Sequence, residues 1–208
     1  LGDVYKRQVV EVDLSAIRPM IALPMHPSNA FTIEELNANL EDILHACEQD
    51  VQKLIGRKDV RLDLCSKIEN GKLRVDQGVI AGCAGGLYDS IYEAASILKG
   101  HTGGCGDYAL SVYPGSQPIM MELVRTGVIG ELMASGATIR TAFCGPCFGA
   151  GDVPANGALS IRHTTRNFPS REGSKPGSGQ LSGVALMDAR SIAAVSYTHL
   201  TLPTNSLV

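Results

Sequence analysis

The sequence predicts an α/β fold with a mainly parallel sheet. Short apolar runs, each typical of a buried strand, alternate along the chain with segments whose apolar residues recur at helical spacing. Strands that alternate with helices are joined by crossover connections, which produce parallel pairing. The 208 residues are 44% hydrophobic and 19% charged, enough apolar material for one sizeable core. We therefore expect a single globular domain.

The predicted elements follow one another in the order that this alternation requires. Thr32, with Glu35 three residues later, is a capping box that predicts the start of the first helix. The glycines at positions 85 and 86 end the first predicted strand, so Cys83 lies at a strand end. The elements are a helix at 33–54, a strand at 78–83, a helix at 88–99, a strand at 109–113, helices at 117–126 and 129–135, a strand at 137–143 and a final helix near 184–195.

Both ends of the chain differ abruptly from the segments beside them. Residues 1–8 and 196–208 resemble translated adapter sequence, and we expect them to be non-native tails. The predicted domain therefore spans residues 9–195.

The charge and hydropathy of the chain exclude several classes of partner. A net charge of −3 gives no general attraction for nucleic acid or for an anionic membrane surface. No run approaches the roughly 18 apolar residues that span a bilayer, and the N-terminus lacks the apolar region of a secretion signal. We expect a cytoplasmic protein that binds neither membrane nor nucleic acid. Six cysteines in a chain of this length favour metal or redox use over a disulfide scaffold.

Cys144 and Cys147 form a C-G-P-C motif after a predicted strand. Thioredoxin-like dithiols, halves of zinc sites and pairs of iron–sulfur ligands all share this spacing. A dithiol needs a helix directly after its first cysteine, because the helix dipole lowers the thiol pKa. Here Gly149, Gly151 and Pro154 work against a long helix, which disfavours the dithiol.

A zinc site would need four ligands, and the candidates to complete it are Cys83, Cys105 and His163. Three thiolates without an evident fourth partner suit a 4Fe-4S cluster instead, in which one iron stays open and acts as a Lewis acid. The remaining cysteines are expected to be structural: Cys47, Cys65 and Cys105.

Four sequence blocks, which cover most of residues 75–193, occur in a fixed order. They are V-I-A-G-C-A-G-G-L-Y-D-S around Cys83, Y-P-G-S-Q from Tyr113, F-C-G-P-C-F-G from Phe143 and T-R-N-F-P-S-R-E-G from Thr165. In this order and spacing they resemble the aconitase and isopropylmalate isomerase superfamily, most closely its aconitase-like hydratases of unassigned substrate. The resemblance implies the third of four domains, with a three-layer α/β architecture, so we expect a fragment of a larger enzyme.

The resemblance also implies roles for individual residues. Cys83, Cys144 and Cys147 align with the three ligands of a 4Fe-4S cluster, and Arg166 and Arg171 align with arginines that bind substrate carboxylates. The implied enzyme is a hydro-lyase that removes and adds water on a hydroxy-carboxylic acid. Its partners would be a small di- or tricarboxylic acid substrate and the remaining domains of the same enzyme. The serine base of the family belongs to another domain, so we expect no catalytic residue in this fragment and no activity from it alone.

Two positions depart from the family's pattern. Ala84 and Gly85 stand where the family usually has Thr-Asn, and Thr165 stands where it has Asn. Those asparagines lie near the cluster and the substrate in the family, so the substrate is not predicted. Two other functions stay open: a thiol–disulfide oxidoreductase that uses the C-G-P-C dithiol, and a module that uses the cluster as an iron or redox sensor.

A basic loop is predicted between residues 162 and 175, opposed only by Glu172. Such a loop is either a solvated surface or an anion site. Planar guanidinium groups bind carboxylates through two hydrogen bonds, which favours the anion site. The lone carboxylates of Asp152 and Asp188 are expected at the surface or as caps. The potential positive groups of the loop are Arg162, His163, Arg166, Arg171 and Lys175.

Overall fold

A computed structural model describes residues 10–103 and 108–198 and has the three-layer α/β fold that the sequence predicts. The strands in the described residues are β1 (Met20–Ala22), β2 (Ala30–Thr32), β3 (Ile68–Glu69), β4 (Lys72–Leu73), β5 (Gln77–Ile80), β6 (Ala109–Val112), β7 (Thr138–Ile139), β8 (Leu159–His163) and β9 (Gly183–Leu186). The α-helices are α1 (Ile33–Ala38), α2 (Leu40–Ile55), α3 (Gly82–Gly85), α4 (Tyr88–Leu98), α5 (Gln117–Arg125), α6 (Val128–Ala134) and α7 (Ala189–Thr198).

The main sheet has seven strands in the order β2-β1-β9-β8-β5-β6-β7. The strands from β9 to β7 are parallel, and β1 pairs antiparallel with both β9 and β2. β3 and β4 form a separate hairpin. The prediction of a mainly parallel sheet is therefore confirmed. The carboxyl ends of β5, β7 and β8 lie along one edge of this sheet, because parallel strands run in the same direction.

The two faces of the central strands pack against hydrophobic cores of different size. Side chains alternate between the faces along a strand, and Ile80 and Ile161 belong to the main hydrophobic core. α7 packs on β5 and β8, and α4 packs on α7. Val79 belongs instead to a small separate cluster with Ala81 and Tyr113. The second face therefore has a smaller apolar core than the first.

The first predicted helix is two helices. Thr32 and Glu35 form the predicted capping box, in which each side chain bonds to the main chain of the other residue. α1 ends at Ala38, and Asn39 has the non-helical dihedrals φ −131° and ψ 38° before α2 begins. Asn bonds readily to nearby backbone groups and has a low helix propensity, which makes it a favourable place for the break. α2 buries one stripe: Leu40, Leu44, Cys47 and Val51.

Three other predicted elements differ from the observed ones. The strand predicted at 78–83 ends at Ile80, and Cys83 lies in α3. The strand predicted at 137–143 is limited to β7, and Gly183–Leu186 forms β9 where a helix was predicted from residue 184. α7 begins only at Ala189, because the Asp188 carboxylate accepts from the main-chain N–H groups of Arg190 and Ser191 at 2.9 and 3.0 Å. The capping role expected of Asp188 is thereby observed.

The domain boundaries at residues 9 and 195 stay predictions. α7 continues to Thr198, and the fully buried Ser196 hydroxyl lies 2.9 Å from Tyr108 Oη. Cys105 lies outside the described residues. None of the helices among the described residues is long and apolar enough to cross a membrane.

Two glycine-to-alanine substitutions test this packing with opposite expected signs. A Cβ at Gly78 in β5 would collide with Tyr108 Oη and lie 3.2 Å from Ile192 Cγ2. Gly130 lies inside α6 with nothing within 4 Å of its Cβ position. We expect Gly78→Ala to lower the free energy of unfolding by about 1–3 kcal/mol through overpacking. Gly130→Ala should raise it by about 0.5–1 kcal/mol, because alanine loses less backbone entropy in a helix. Urea-induced unfolding measures both, and equal effects would contradict the packing of β5 against α7.

Candidate metal centre

The three cysteines predicted as ligands lie at one edge of the sheet. Cys83 is in α3, which directly follows β5. Cys144 and Cys147 bracket a 3-10 turn, Gly145–Cys147, which follows β7. α3 packs against this turn. The carboxyl ends of two parallel strands thus deliver the thiols to one place, as ligand sites in open α/β sheets require.

Cys147 is the central thiol of the three. A Cβ on Gly82 would lie 2.8 Å from its sulfur, and Gly82 has the left-handed φ of +72°, so a larger residue at 82 would displace the thiol. Burial raises the pKa of the Cys147 thiol, and the nearby thiols of Cys144 and Cys83 raise it further. The N–H of Thr165 donates to the sulfur and opposes these effects. The segment that carries the predicted substrate arginines therefore contacts the thiol directly.

The three thiols do not form a preassembled site for a single ion. Cys83 and Cys144 are exposed and Cys147 is buried. Their sulfur atoms do not all lie within 4.8 Å of one another. A tetrahedral zinc ion holds its thiolates at about 2.3 Å, which places the sulfurs roughly 3.8 Å apart. A zinc ion bound by all three thiols would therefore require at least one of them to move.

A tighter set of potential ligands has another explanation. Among the described residues, the set whose ligand atoms all lie within 4.8 Å consists of His45, Glu48 and Cys65. Glu48 Oε1 accepts from the main-chain N–H groups of Leu64 and Cys65 at 2.5 and 2.7 Å. Burial, followed by the charge of Glu48, raises the pKa of Cys65 to about 11. The carboxylate therefore orders the turn at 64–65, and the thiol stays protonated beside it.

The glycines around the C-G-P-C motif permit close packing of main chain. A Cβ on Gly145 would collide with the carbonyl of Ala150 and with the ring of Phe143. Gly149 has φ +82°, and its Cβ would lie 2.7 Å from Gly173 Cα. The segment after the motif therefore folds back on itself and packs against the basic loop. The described residues 148–158 contain no α-helix, so the helix dipole expected of a redox dithiol is absent from this segment.

The structure corrects the prediction that Arg162 belongs to the basic loop. Arg162 lies in β8 and is 1% exposed. Its guanidinium donates to Ser160 Oγ at 3.0 Å and to Gln77 Oε1 at 3.3 Å. It also donates to the carbonyl oxygens of Pro146 at 2.7 Å and Asp152 at 2.6 Å. The side chain joins the sheet to the main chain around the C-G-P-C motif.

The alternation of L-S-I-R-H explains both the burial of Arg162 and the error. Leu159 and Ile161 face the main core, while Ser160 and Arg162 point to the second face of the sheet. An arginine next to a histidine is typical of a surface loop, which is why the loop was predicted to begin at Arg162. The alternation of buried faces along β8 nevertheless includes Arg162. Burial lowers the pKa of Arg162 to about 10, and the charges of Glu172 and Asp152 oppose this shift. The side chain is therefore still charged at neutral pH.

Arg166 and Arg171 have the opposite character. Arg166 is exposed and Arg171 is half-buried, and neither side chain makes an ion pair or hydrogen bond with another described residue. Between them, Asn167 is 1% exposed and donates to the carbonyl oxygens of Leu23 at 2.7 Å and Ala22 at 3.3 Å. This amide fixes the loop to β1. Both guanidinium groups are left available for an anion.

The start of the loop contains polar atoms without partners. Three buried atoms make no hydrogen bond within the part of the chain that the structure describes: His163 Nδ1, Thr164 Oγ1 and Asn167 Oδ1. Burial lowers the pKa of His163, which favours its neutral form. Gly85 packs directly on His163, because a Cβ there would collide with the histidine carbonyl. This contact explains sterically why glycine occupies position 85. Lys175, at the end of the predicted loop, is exposed.

Asp152 belongs to a second network that the sequence did not reveal. Tyr113 Oη donates to Asp152 Oδ2 at 2.6 Å, and Arg140 pairs with Oδ1 at 3.3 Å. Burial, followed by the hydrogen bond to Asp152, raises the pKa of Tyr113 to about 12. Asp152 also has the left-handed φ of 46°. The carboxylate expected at the surface or as a cap is instead a partly buried link between Tyr113, just after β6, and the segment after Cys147.

Comparisons with known proteins match almost the whole chain. A family model described as the aconitase family (aconitate hydratase) matches residues 2–194. The 3-isopropylmalate dehydratase large subunits of Thermoanaerobacter sp. (strain X514) and Caldanaerobacter subterraneus subsp. tengcongensis are each 30% identical over 195 residues. The same subunit of Moorella thermoacetica is 28% identical over 194 residues. These alignments cover 91–92% of the chain but only 37–38% of each relative. The chain thus spans a little over a third of the length of these curated relatives.

The exposure of the thiols predicts their order of modification. In the metal-free chain at pH 8, iodoacetamide should label Cys83 and Cys144 at least about tenfold faster than Cys147 and Cys47, since the thiolate is the nucleophile and must be accessible. Cys147 is buried with a raised pKa, and burial raises the pKa of Cys47 to about 12. Peptide mass spectrometry over time measures each rate, and labelling in urea gives the unfolded reference. Equal rates for Cys83 and Cys147 in the folded chain would contradict the arrangement.

Proposed function

The chain belongs to the aconitase family, and we propose that it is the cluster-bearing part of a hydro-lyase acting on a hydroxy-carboxylic acid. The observation that carries the proposal is the meeting of three thiols with a loop that bears two unpaired guanidinium groups. Thr165 donates to the Cys147 sulfur, and Gly149 lies against the main chain of Arg171. An iron–sulfur ligand set and an anion-binding loop are thus parts of one site.

The donor set fits a 4Fe-4S cluster. Cys83, Cys144 and Cys147 would hold it, since all three are free thiols and both other thiols lie close enough to Cys147 to raise its pKa. A cluster held by three cysteines supplies one iron without a protein ligand, which acts as a Lewis acid. Cys147 would be the buried ligand next to the loop that bears Arg166, and Cys83 and Cys144 would be the exposed ligands.

Arg166 and Arg171 are the groups proposed to bind the substrate. Each can offer a carboxylate two parallel N–H donors in a planar fork. Neither is neutralised by a described acidic side chain, so a carboxylate would meet uncompensated positive charge. Arg162 is unsuited to this role, because its guanidinium is buried and bonded to four acceptors. The proposed substrate is accordingly a small di- or tricarboxylic acid.

The surface around the thiols supports a larger enzyme. Phe143 and Phe148, which flank the C-G-P-C motif, are 51% and 50% exposed and contact each other edge to face. Apolar side chains grouped on a surface commonly mark an interface. We propose that the remaining domains cover this edge and carry the general base, so the chain alone should show no turnover. Cytoplasmic location is part of the proposal, since reducing conditions keep free thiols available as ligands.

A thiol–disulfide exchange function has less support. Cys144 begins a 3-10 turn of three residues, and the main chain then enters irregular turns. This differs from the helix N-terminus that lowers the pKa of the attacking thiol in exchange enzymes.

Serine substitutions test the proposed cluster. After anaerobic reconstitution with iron and sulfide, we expect the parent chain to bind about four irons and to absorb broadly in the visible region. Cys83→Ser, Cys144→Ser and Cys147→Ser should each abolish that absorption, because a cluster that loses one of three protein ligands is poorly held. Iron analysis and visible spectroscopy measure the outcome.

The remaining cysteines are the matched controls for this experiment. Cys47→Ser, Cys65→Ser and Cys105→Ser should leave iron content and absorption unchanged. Loss of the cluster from a control variant would assign a ligand outside the proposed three. Retention in all three ligand variants would overturn the cluster proposal.

Lysine substitutions test the proposed carboxylate site in the complete enzyme that contains this chain. Arg166→Lys and Arg171→Lys keep the charge but lose the planar fork. With cluster content held equal, each should reduce kcat/KM by the equivalent of about 2–4 kcal/mol in transition-state stabilisation. Arg125→Lys is the control, since Arg125 is an exposed arginine on α5 paired with Glu122. It should change kcat/KM by less than about 0.5 kcal/mol. If all three variants match the parent, the basic loop does not bind substrate.

A further inference from the structure

We propose that Arg162 is the positioning residue of the thiol loop, defined as residues 144–153. By donating to the carbonyl oxygens of Pro146 and Asp152, it holds Cys144 and Cys147 where a cluster requires them. The assignment rests on the proposed function for the purpose of the loop. The geometry of the loop and its anchor stands independently.

Arg162, the anchoring residue, lies in the centre of the main sheet. In the parallel pairing of β8 with β5, Arg162 is the register partner of Val79, and Ser160 is the partner of Gln77. Ser160 Oγ and Gln77 Oε1 accept from the guanidinium and fix its orientation. Both strands have parallel neighbours on each side. The donor group is therefore held by the rigid centre of the molecule.

The thiol loop has little other regular support. Its internal main-chain bonds are short-range turn bonds, from Cys147 N to Cys144 O, from Phe148 N to Gly145 O and from Ala150 N to Gly145 O. Arg162 reaches the loop at two separate points, between the two cysteines and at its far end. Two anchors at different positions restrain both the location and the orientation of a loop.

The charge of Arg162 fits a negatively charged neighbour. Its four acceptors are neutral oxygens, and it makes no ion pair within the described residues. Glu172 is buried nearby, but its carboxylate accepts from Ser174 Oγ. A buried cation bonded only to neutral groups is costly. The charges of Glu172 and Asp152 lie close enough to favour the charged guanidinium. Asp152 belongs to the thiol loop, so the loop that Arg162 anchors also supplies part of its counter-charge.

Hydrogen exchange of the metal-free 208-residue chain tests the anchor without any cluster. Arg162→Lys keeps the charge and loses the fork, and Arg162→Gln loses the charge. In both variants, amides of residues 145–152 should exchange about tenfold faster than in the parent, while those of β5 and α4 stay unchanged. Iron bound after reconstitution should fall at least about threefold. Arg74→Lys, which loses a fork bonded to Glu69 and Asp76 elsewhere, is the control and should change neither measurement.

Each outcome decides the proposal. Unchanged exchange in the thiol loop of both Arg162 variants would overturn it, and so would exchange that rises equally in β5 and β8, which marks an ordinary core residue. If the parent chain binds no iron, the cluster proposal fails while the exchange result still decides the anchor. Should both variants fail to fold, Ser160→Ala removes one acceptor and leaves Arg162 in place. It should raise exchange about two- to threefold in the same loop, and an unchanged loop would overturn the anchor.

Discussion

The parallel pairing of β5 with β8 is the constraint on which the rest of the site depends. β5 leads directly into the turn that bears Cys83, and β8 leads into the loop that bears Arg166. Because the strands are in register, their carboxyl ends deliver a thiol and a guanidinium to the same edge. The same register aligns Ser160 with Gln77 beneath Arg162. One set of ladder bonds therefore sets the positions of the proposed ligands, the proposed anion-binding groups and the anchor between them.

Much of the fold was predictable because it follows from local periodicity. The capping box at Thr32 and the apolar spacing of the helices act within a few residues, so the sequence displays them. The break at Asn39 and the strand at Gly183–Leu186 were missed, because tertiary packing decides how a short apolar run pairs. The candidate ligands were found through collinear blocks. Arg162 was missed because its burial depends on acceptors contributed by the distant Gln77, Pro146 and Asp152.

The second face of the sheet shows how polar groups can replace an apolar core. Val79, Ala81 and Tyr113 form only a small cluster there. Beside it lie the buried Arg162 and the buried Glu172, each bonded to neutral hydroxyl or carbonyl groups. Such interiors gain little from the hydrophobic effect, but polar bonds have strict directions. The polar bonds on this face therefore fix main-chain positions more strictly than non-directional aliphatic contacts would. The turn between Cys144 and Cys147 is one of these positions.

The contacts of the thiol loop bear on how its thiols meet solvent. Protein groups hold the loop from two sides, through Arg162 on Pro146 and Tyr113 on Asp152. If the proposed cluster binds here, this anchoring lowers the ordering entropy that binding must overcome. Exposed Cys83 and Cys144 give solvent a direct route to this side of the molecule. An oxidant would therefore reach these two thiols in the folded chain, so that access rather than unfolding would govern their reaction.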